Sequence, residues 1–184
     1  MTGSMNNARY QHTASVLTNG KVLVTGGLDN SVTVNSPELY DPSTGTWTMT
    51  GSMNNERYQH TASVLTNGKV LVTGGVDNSV TVNSAELYAP STGTWTMTGS
   101  MNNARFQHTA SVLTNGKVLV TGGWGSSGDS VNSTELYDPS TGTWTMTDSM
   151  NNARSLQTAS VLTNGNVLVT GGYNGFILNS SELY

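Results

Sequence analysis

Residues 4–50 read SMNNARYQHTASVLTNGKVLVTGGLDNSVTVNSPELYDPSTGTWTMT. Nearly the same string returns three times. Arg9, Arg57, Arg105 and Arg154 stand 48, 48 and 49 residues apart, and so do the glycine doublets beginning at Gly26, Gly74, Gly122 and Gly171. A period of this length means that one supersecondary unit is copied and stacked, so every other feature is read inside the unit. Turn signals cut each copy into four segments of strand length. The first two, TASVL and KVLVTGG, flank Thr-Asn-Gly, and Asn19-Gly20 is expected to supply the positive φ angles of a tight type I′ hairpin. The dipeptide recurs at Asn67-Gly68, Asn115-Gly116 and Asn164-Gly165. The third segment ends in Glu-Leu-Tyr and the fourth is Thr-Trp-Thr-Met-Thr. Between them lies Asp-Pro-Ser-Thr-Gly, in which Pro42 presets φ and Gly45 relaxes it.

Composition agrees with an all-β chain. Gly, Thr, Asn and Val dominate the 184 residues; all are weak helix formers, and Thr and Val favour pleated surfaces. Seven Lys and Arg against a net charge of -4 argue against a nucleic-acid partner, since such proteins cluster basic side chains on phosphates. With no cysteine there is no disulfide, thiolate metal site or cysteine nucleophile, and this absence does not fix the compartment. Apolar runs such as Val22-Leu23-Val24 are too short for a membrane span.

A lone four-stranded sheet cannot bury both of its faces. Stacking copies face to face around an axis solves this, which is the logic of a β-propeller. The residues that carry the unit resemble the kelch repeat: a double glycine, then a Tyr with a Trp seven positions on (Tyr40 and Trp47, Tyr88 and Trp95, Tyr137 and Trp144), and an Arg ahead of the first strand. The resemblance covers essentially the whole chain and implies an all-β, kelch-type β-propeller array of four blades, in the superfamily that includes galactose-oxidase-like propellers. It implies that Tyr and Trp pack between strands and blades, and that the glycines let the chain pass closely at the end of the second strand. Residues 1–184 then form one array, with units at 3–50, 51–98, 99–147 and 148–184. The last unit is truncated, because the chain stops at Tyr184, the equivalent of Tyr40, and the opening Met1-Thr2 stub is too short to supply the missing strand. The expectation is therefore a fragment of a larger ring, with self-association through the incomplete blade as one consequence of its unpaired edge. A closed four-blade ring also lies within the range that propellers span.

Differences among the copies collect on one face. After the glycine doublets the segments read LDNSVTVNS, VDNSVTVNS, WGSSGDSVNS and YNGFILNS, whereas the Asn-Gly and Pro-Ser-Thr-Gly turns scarcely change. Variation confined to one face of a repeat array marks a binding surface, here built from the strand 2–3 loops and the inter-blade connections. Its candidate residues are Arg9, Arg57, Arg105 and Arg154, with Tyr10, Tyr58, Phe106, Trp124 and Tyr173 around them. An arginine ring at the channel mouth would suit acidic groups, and the resemblance to kelch substrate adaptors favours that role. One strand glutamate per unit (Glu38, Glu86, Glu135, Glu182) explains the same arginines as structural ion pairs. Exposed aromatics would suit a peptide or a sugar ring.

No catalytic constellation stands out, since near-identical units place the same residue around a ring instead of converging different groups on one spot. His12, His60 and His108 occupy equivalent places in separate blades, too far apart for one metal, so neither metal nor cofactor is expected. The copper radical oxidases of similar fold depend on a cysteine linked to a tyrosine, and this chain has no cysteine. The expectation is a non-enzymatic scaffold for a protein or peptide partner. The alternatives are an extracellular module for glycans or surface proteins, to which the acceptor triplets at Asn132 and Asn179 would belong, and, behind both, a sugar-active enzyme on the same fold.

Overall fold

The computed structural model describes residues 2–184. Met1, and with it the start of the opening stub, lies outside the described residues. The strand segments form three four-stranded antiparallel sheets and one three-stranded sheet, each in simple sequential order from inner to outer strand. The first blade comprises Thr13–Val16, Val22–Thr25, Glu38–Asp41 and Thr46–Met49; the second comprises Thr61–Val64, Val70–Thr73, Ala85–Ala89 and Thr94–Met97. Thr109–Val112, Val118–Thr121, Thr134–Asp138 and Thr143–Thr147 make the third, and Thr158–Val161, Val167–Thr170 and Ser181–Leu183 the fourth. The result is a four-blade propeller arrangement. Among the described residues no helix is long and apolar enough to cross a membrane.

Alternation along the strands sends apolar side chains to both faces of each sheet, and adjacent blades bury them against each other. Leu17 and Leu23 of the first blade meet Val70, Val72, Tyr88 and Trp95 of the second. The next two boundaries repeat this with Leu71 against Val118 and Tyr137, and Leu119 against Val167 and Val169. Within a blade each Tyr lies opposite its Trp, Tyr88 against Trp95, with ring centroids 5.0 Å apart. The Trp95 indole N–H donates to the Gly51 carbonyl at 2.7 Å, tying the outer strand to the chain that enters the blade.

The Asn-Gly hairpins correct the expected turn type. Gly20 has φ 81°, but Asn19 is absent from the positive-φ residues, so the turn is not type I′. The Gly20 N–H donates to the Leu17 carbonyl at 2.9 Å, and the Leu17 N–H to the Lys21 carbonyl at 2.8 Å. This is a three-residue loop, Thr18 to Gly20, closed by a glycine bulge. The paired positive φ angles occur elsewhere, at Asn30 (46°) and Ser31 (70°) and again at Asn78 (44°) and Ser79 (68°). There the chain turns in two residues between Asp29 and Val32, and between Asp77 and Val80.

Candidate functional site

The turn after the first strand and the turn after the third lie at one end of the blades, where Lys21 Nζ stands 3.1 Å from Asp41 Oδ2 and Lys117 Nζ 3.0 Å from Asp138 Oδ2. The opposite end carries the variable loops. Here the residue after each arginine pairs by backbone with the residue after a glycine doublet: Tyr10 with Leu28, Tyr58 with Val76, Phe106 with Trp124, and Ser155 with Tyr173. The short hairpins Leu28–Asp29 to Val32–Thr33 and Val76–Asp77 to Val80–Thr81 extend these pairs into small projecting ribbons.

All four arginines are removed from the candidate ligand surface, which corrects the expectation of an arginine ring. Arg9, Arg57, Arg105 and Arg154 each have side-chain exposure of 0%, and each donates from Nη2 to the glutamate of its own blade. Arg57 Nη1 also donates to the Gly74 carbonyl at 2.9 Å and the Ser84 carbonyl at 3.1 Å. These bonds stitch the entry segment to both ends of the variable loop. The glutamate is closed from the other side by the repeated Met-Asn-Asn: Asn54 and Asn55 donate their backbone N–H groups to Glu86 at 2.7 and 2.9 Å, and the Asn54 side chain adds a third bond at 2.7 Å. Burial raises the Glu182 carboxyl, but the Asn151 and Asn152 amides and Arg154 outweigh it and hold the group at about 2. A carboxylate with this many donors stays ionised. Sequence reasoning missed the role of the asparagines; its signal was the Met-Asn-Asn that opens every unit.

The histidines pin blade to blade. His60 Nε2 lies 2.9 Å from Thr13 Oγ1 and 3.3 Å from Thr25 Oγ1 of the preceding blade, and His108 Nε2 lies 2.9 Å from Thr61 Oγ1. Gln157, in the same place, donates to the Thr121 carbonyl at 2.7 Å. Burial, followed by the Arg57 charge, lowers His60 well below the ordinary range; burial and Arg105 take His108 to about 3.

What remains on the loop face is apolar and neutral. Tyr10 is 51% exposed, Tyr58 and Phe106 are partly exposed, and Trp124 stacks on Tyr173 across the third and fourth blades, with centroids 6.2 Å apart and planes 15° apart. Phe176 and Ile177, beside Tyr173 in its loop, are 80% and 92% exposed. A cleft of about 700 Å³ opens between the loops of the second and third blades, walled by Asn83, Asn102, Asn103, Ser126 and Ser130 and by no charged side chain. Of the two acceptor triplets, Asn132 commits its amide to the Met150 carbonyl at 3.0 Å, whereas Asn179 is exposed.

No curated protein matches the chain. The kelch motif matches residues 9–54, 57–102 and 105–151, each match running from a buried arginine to the asparagines that close the next blade's glutamate. With three motifs covering most of its length, and blades built on the Arg–Glu, Tyr–Trp and double-glycine positions, the chain belongs to the kelch-motif family.

Proposed function

We propose that this protein is a non-catalytic binding scaffold, and that its ligand face is the end of the array formed by the strand 2–3 loops and inter-blade connections. The observation that carries this reading is where greasy side chains meet water. Of the fourteen large hydrophobics exposed in the chain, seven (Tyr10, Val32, Val80, Leu156, Tyr173, Phe176 and Ile177) stand on this one end. Apolar side chains gathered beside a polar cleft are the usual anatomy of a partner site. The buried Arg–Glu frame holds the loops while their tips vary, so recognition changes without cost to the fold.

The partner we favour is an extended, neutral peptide segment of another protein. Amide and hydroxyl walls without charge suit hydrogen bonding to peptide groups, and the Trp124–Tyr173 stack offers an apolar shelf beside them. Those features also serve a neutral glycan, which is the second reading. Selection of displayed random peptides and a glycan array, each repeated with Trp124→Ala and Tyr173→Ala, separates the two. The proposal predicts enriched peptides whose binding falls at least tenfold in both variants. Binding that survives both variants and is lost instead when Lys117 and Asp138, at the opposite end, are substituted would overturn it.

A further inference from the structure

Each boundary between blades has two different sides. The forward side presents leucines, Leu17, Leu23 and Leu39 in the first blade, to the valines and aromatics on the rear of the next. A fixed set of hydrogen bonds crosses with them. Between the first and second blades, Gly27 N–H donates to the Arg57 carbonyl at 2.8 Å and Gln59 N–H to the Gln11 carbonyl at 3.1 Å. Met53 N–H reaches the Asn35 carbonyl at 3.0 Å, the Asn35 amide returns to the Met53 carbonyl at 3.1 Å, and His60 bonds Thr13. The Gly, Met and Asn bonds recur at the next two boundaries.

The rear of the first blade and the front of the fourth lack these mates. No hydrogen bond among the described residues joins residues 2–50 to residues 148–184, and no core cluster spans them. Val22 is partly exposed where Val70, Val118 and Val167 are at 0%, and Tyr40 where Tyr88 and Tyr137 are at 0%. At the other end Leu168 is partly exposed, although Leu23, Leu71 and Leu119 are at 1%, 0% and 0%. The idle polar groups correspond as well. Gly172 N–H, the Leu156 carbonyl and the Asn179 amide face forward from the fourth blade; the Arg9 carbonyl, Gln11 N–H, Met5 backbone and His12 Nε2 wait on the first.

We infer that a second copy of this chain docks head to tail, the rear of its first blade on the front of the fourth blade, through the contacts that already join blades within the chain. The occupant follows from the repeat itself, because each exposed surface is sealed three times inside the same molecule by the surface that the other end exposes. The three-stranded fourth blade does not spoil the match: Trp95, in the outer strand of the second blade, packs rearward, whereas the docking front is leucine. A head-to-tail contact closes into a ring where the rotation allows and grows into a filament otherwise. Two four-blade copies make eight blades, the upper end of the usual range of roughly 4 to 8. This surface is distinct from the loop face.

Sedimentation equilibrium of the whole 184-residue chain tests the inference. Species at multiples of 19.4 kDa are expected at micromolar concentration. Val22→Glu blocks the rear and Leu168→Arg blocks the front, so each variant alone is expected to be monomeric, while an equimolar mixture gives dimers and nothing larger, because one intact pair of surfaces remains. His12→Ala, which removes a side chain that has no hydrogen-bond partner in the isolated chain, leaves the fold unchanged and weakens association about fivefold. A wild-type monomer, a mixture that fails to restore dimers from folded variants, or a His12→Ala chain that associates like the wild type overturns the inference.

Discussion

Arg57 and Glu86 are locked together with no access to water: Nη2 lies 2.9 Å from Oε1, and both side chains are 0% exposed. Desolvating two charges is expensive, and the pair persists because Asn54, Asn55 and two loop carbonyls satisfy the remaining donors and lone pairs. Arg57→Ala strands the carboxylate in the core and is expected to cost roughly 3–5 kcal/mol in urea unfolding. Arg154→Ala should cost less, since its partner Glu182 is 13% exposed and water can reach it. An Arg57→Ala protein as stable as the wild type would show that the arginine is not structural.

Acid should loosen the array through its buried histidines. His60 and His108 titrate below the ordinary 6.5 when folded, His108 at about 3, so the unfolded chain takes up protons first as pH falls. Their contribution is whole above about pH 6.5 and drains away below it, by at most about 1.4 kcal/mol per pH unit for each histidine. Glu182, lowered to about 2 from 4.5, acts in the same direction lower on the scale. Urea midpoints measured from pH 7.5 to 5 should fall in the wild type. In His60→Gln with His108→Gln the dependence should flatten, following Gln157, which fills the same position without titrating.

The architecture was readable because strand, turn and core signals return in every copy: the glycine doublets, the Tyr and Trp pairs and the strand-length spacing all describe what is found. Local geometry was less readable. Asn19-Gly20 suggested a two-residue turn, yet Thr18 joins the loop and only the glycine turns left-handed; the two-residue turn formed instead at Asn30-Ser31, whose composition announces it weakly. The arginines posed a different problem. Whether Arg57 faces a ligand or Glu86, 29 residues away, depends on burial, which spacing does not encode.

Gly74 and Gly171 share a backbone conformation and differ in what lies beyond them. A Cβ at Gly74, φ +65°, would meet the Arg105 carbonyl at 2.5 Å and the His108 ring at 2.8 Å; at Gly171, φ +64°, the nearest atom is the Leu178 carbonyl at 3.5 Å. Gly171→Ala should therefore lose only the left-handed penalty of roughly 1–2 kcal/mol. Gly74→Ala must also push the second and third blades apart, and is expected to exceed it by about 2 kcal/mol in dilute solution, where no second copy covers Gly171. Equal losses would mean that the blades do not meet as closely as the distances state.

The hairpin tips can be altered without disturbing the frame. Asn78 and Ser79 both hold positive φ, 44° and 68°, and their ribbon is anchored by Val82 N–H on the Gly75 carbonyl at 3.0 Å. Glycine suits the second position of such a turn, so Ser79→Gly should stabilise the ribbon by about 0.5 kcal/mol, the relief of strain being partly offset by the freer unfolded chain. Replacing both residues by alanine should release Val80, already 62% exposed, from its fixed place. The expected result is faster amide exchange at Val80 and Thr81, unfolding within about 1 kcal/mol of the wild type, and weaker capture of selected peptides. If peptide capture is untouched while exchange accelerates, the second blade's ribbon is not part of the ligand face, and recognition rests on the cleft and the Trp124–Tyr173 shelf alone.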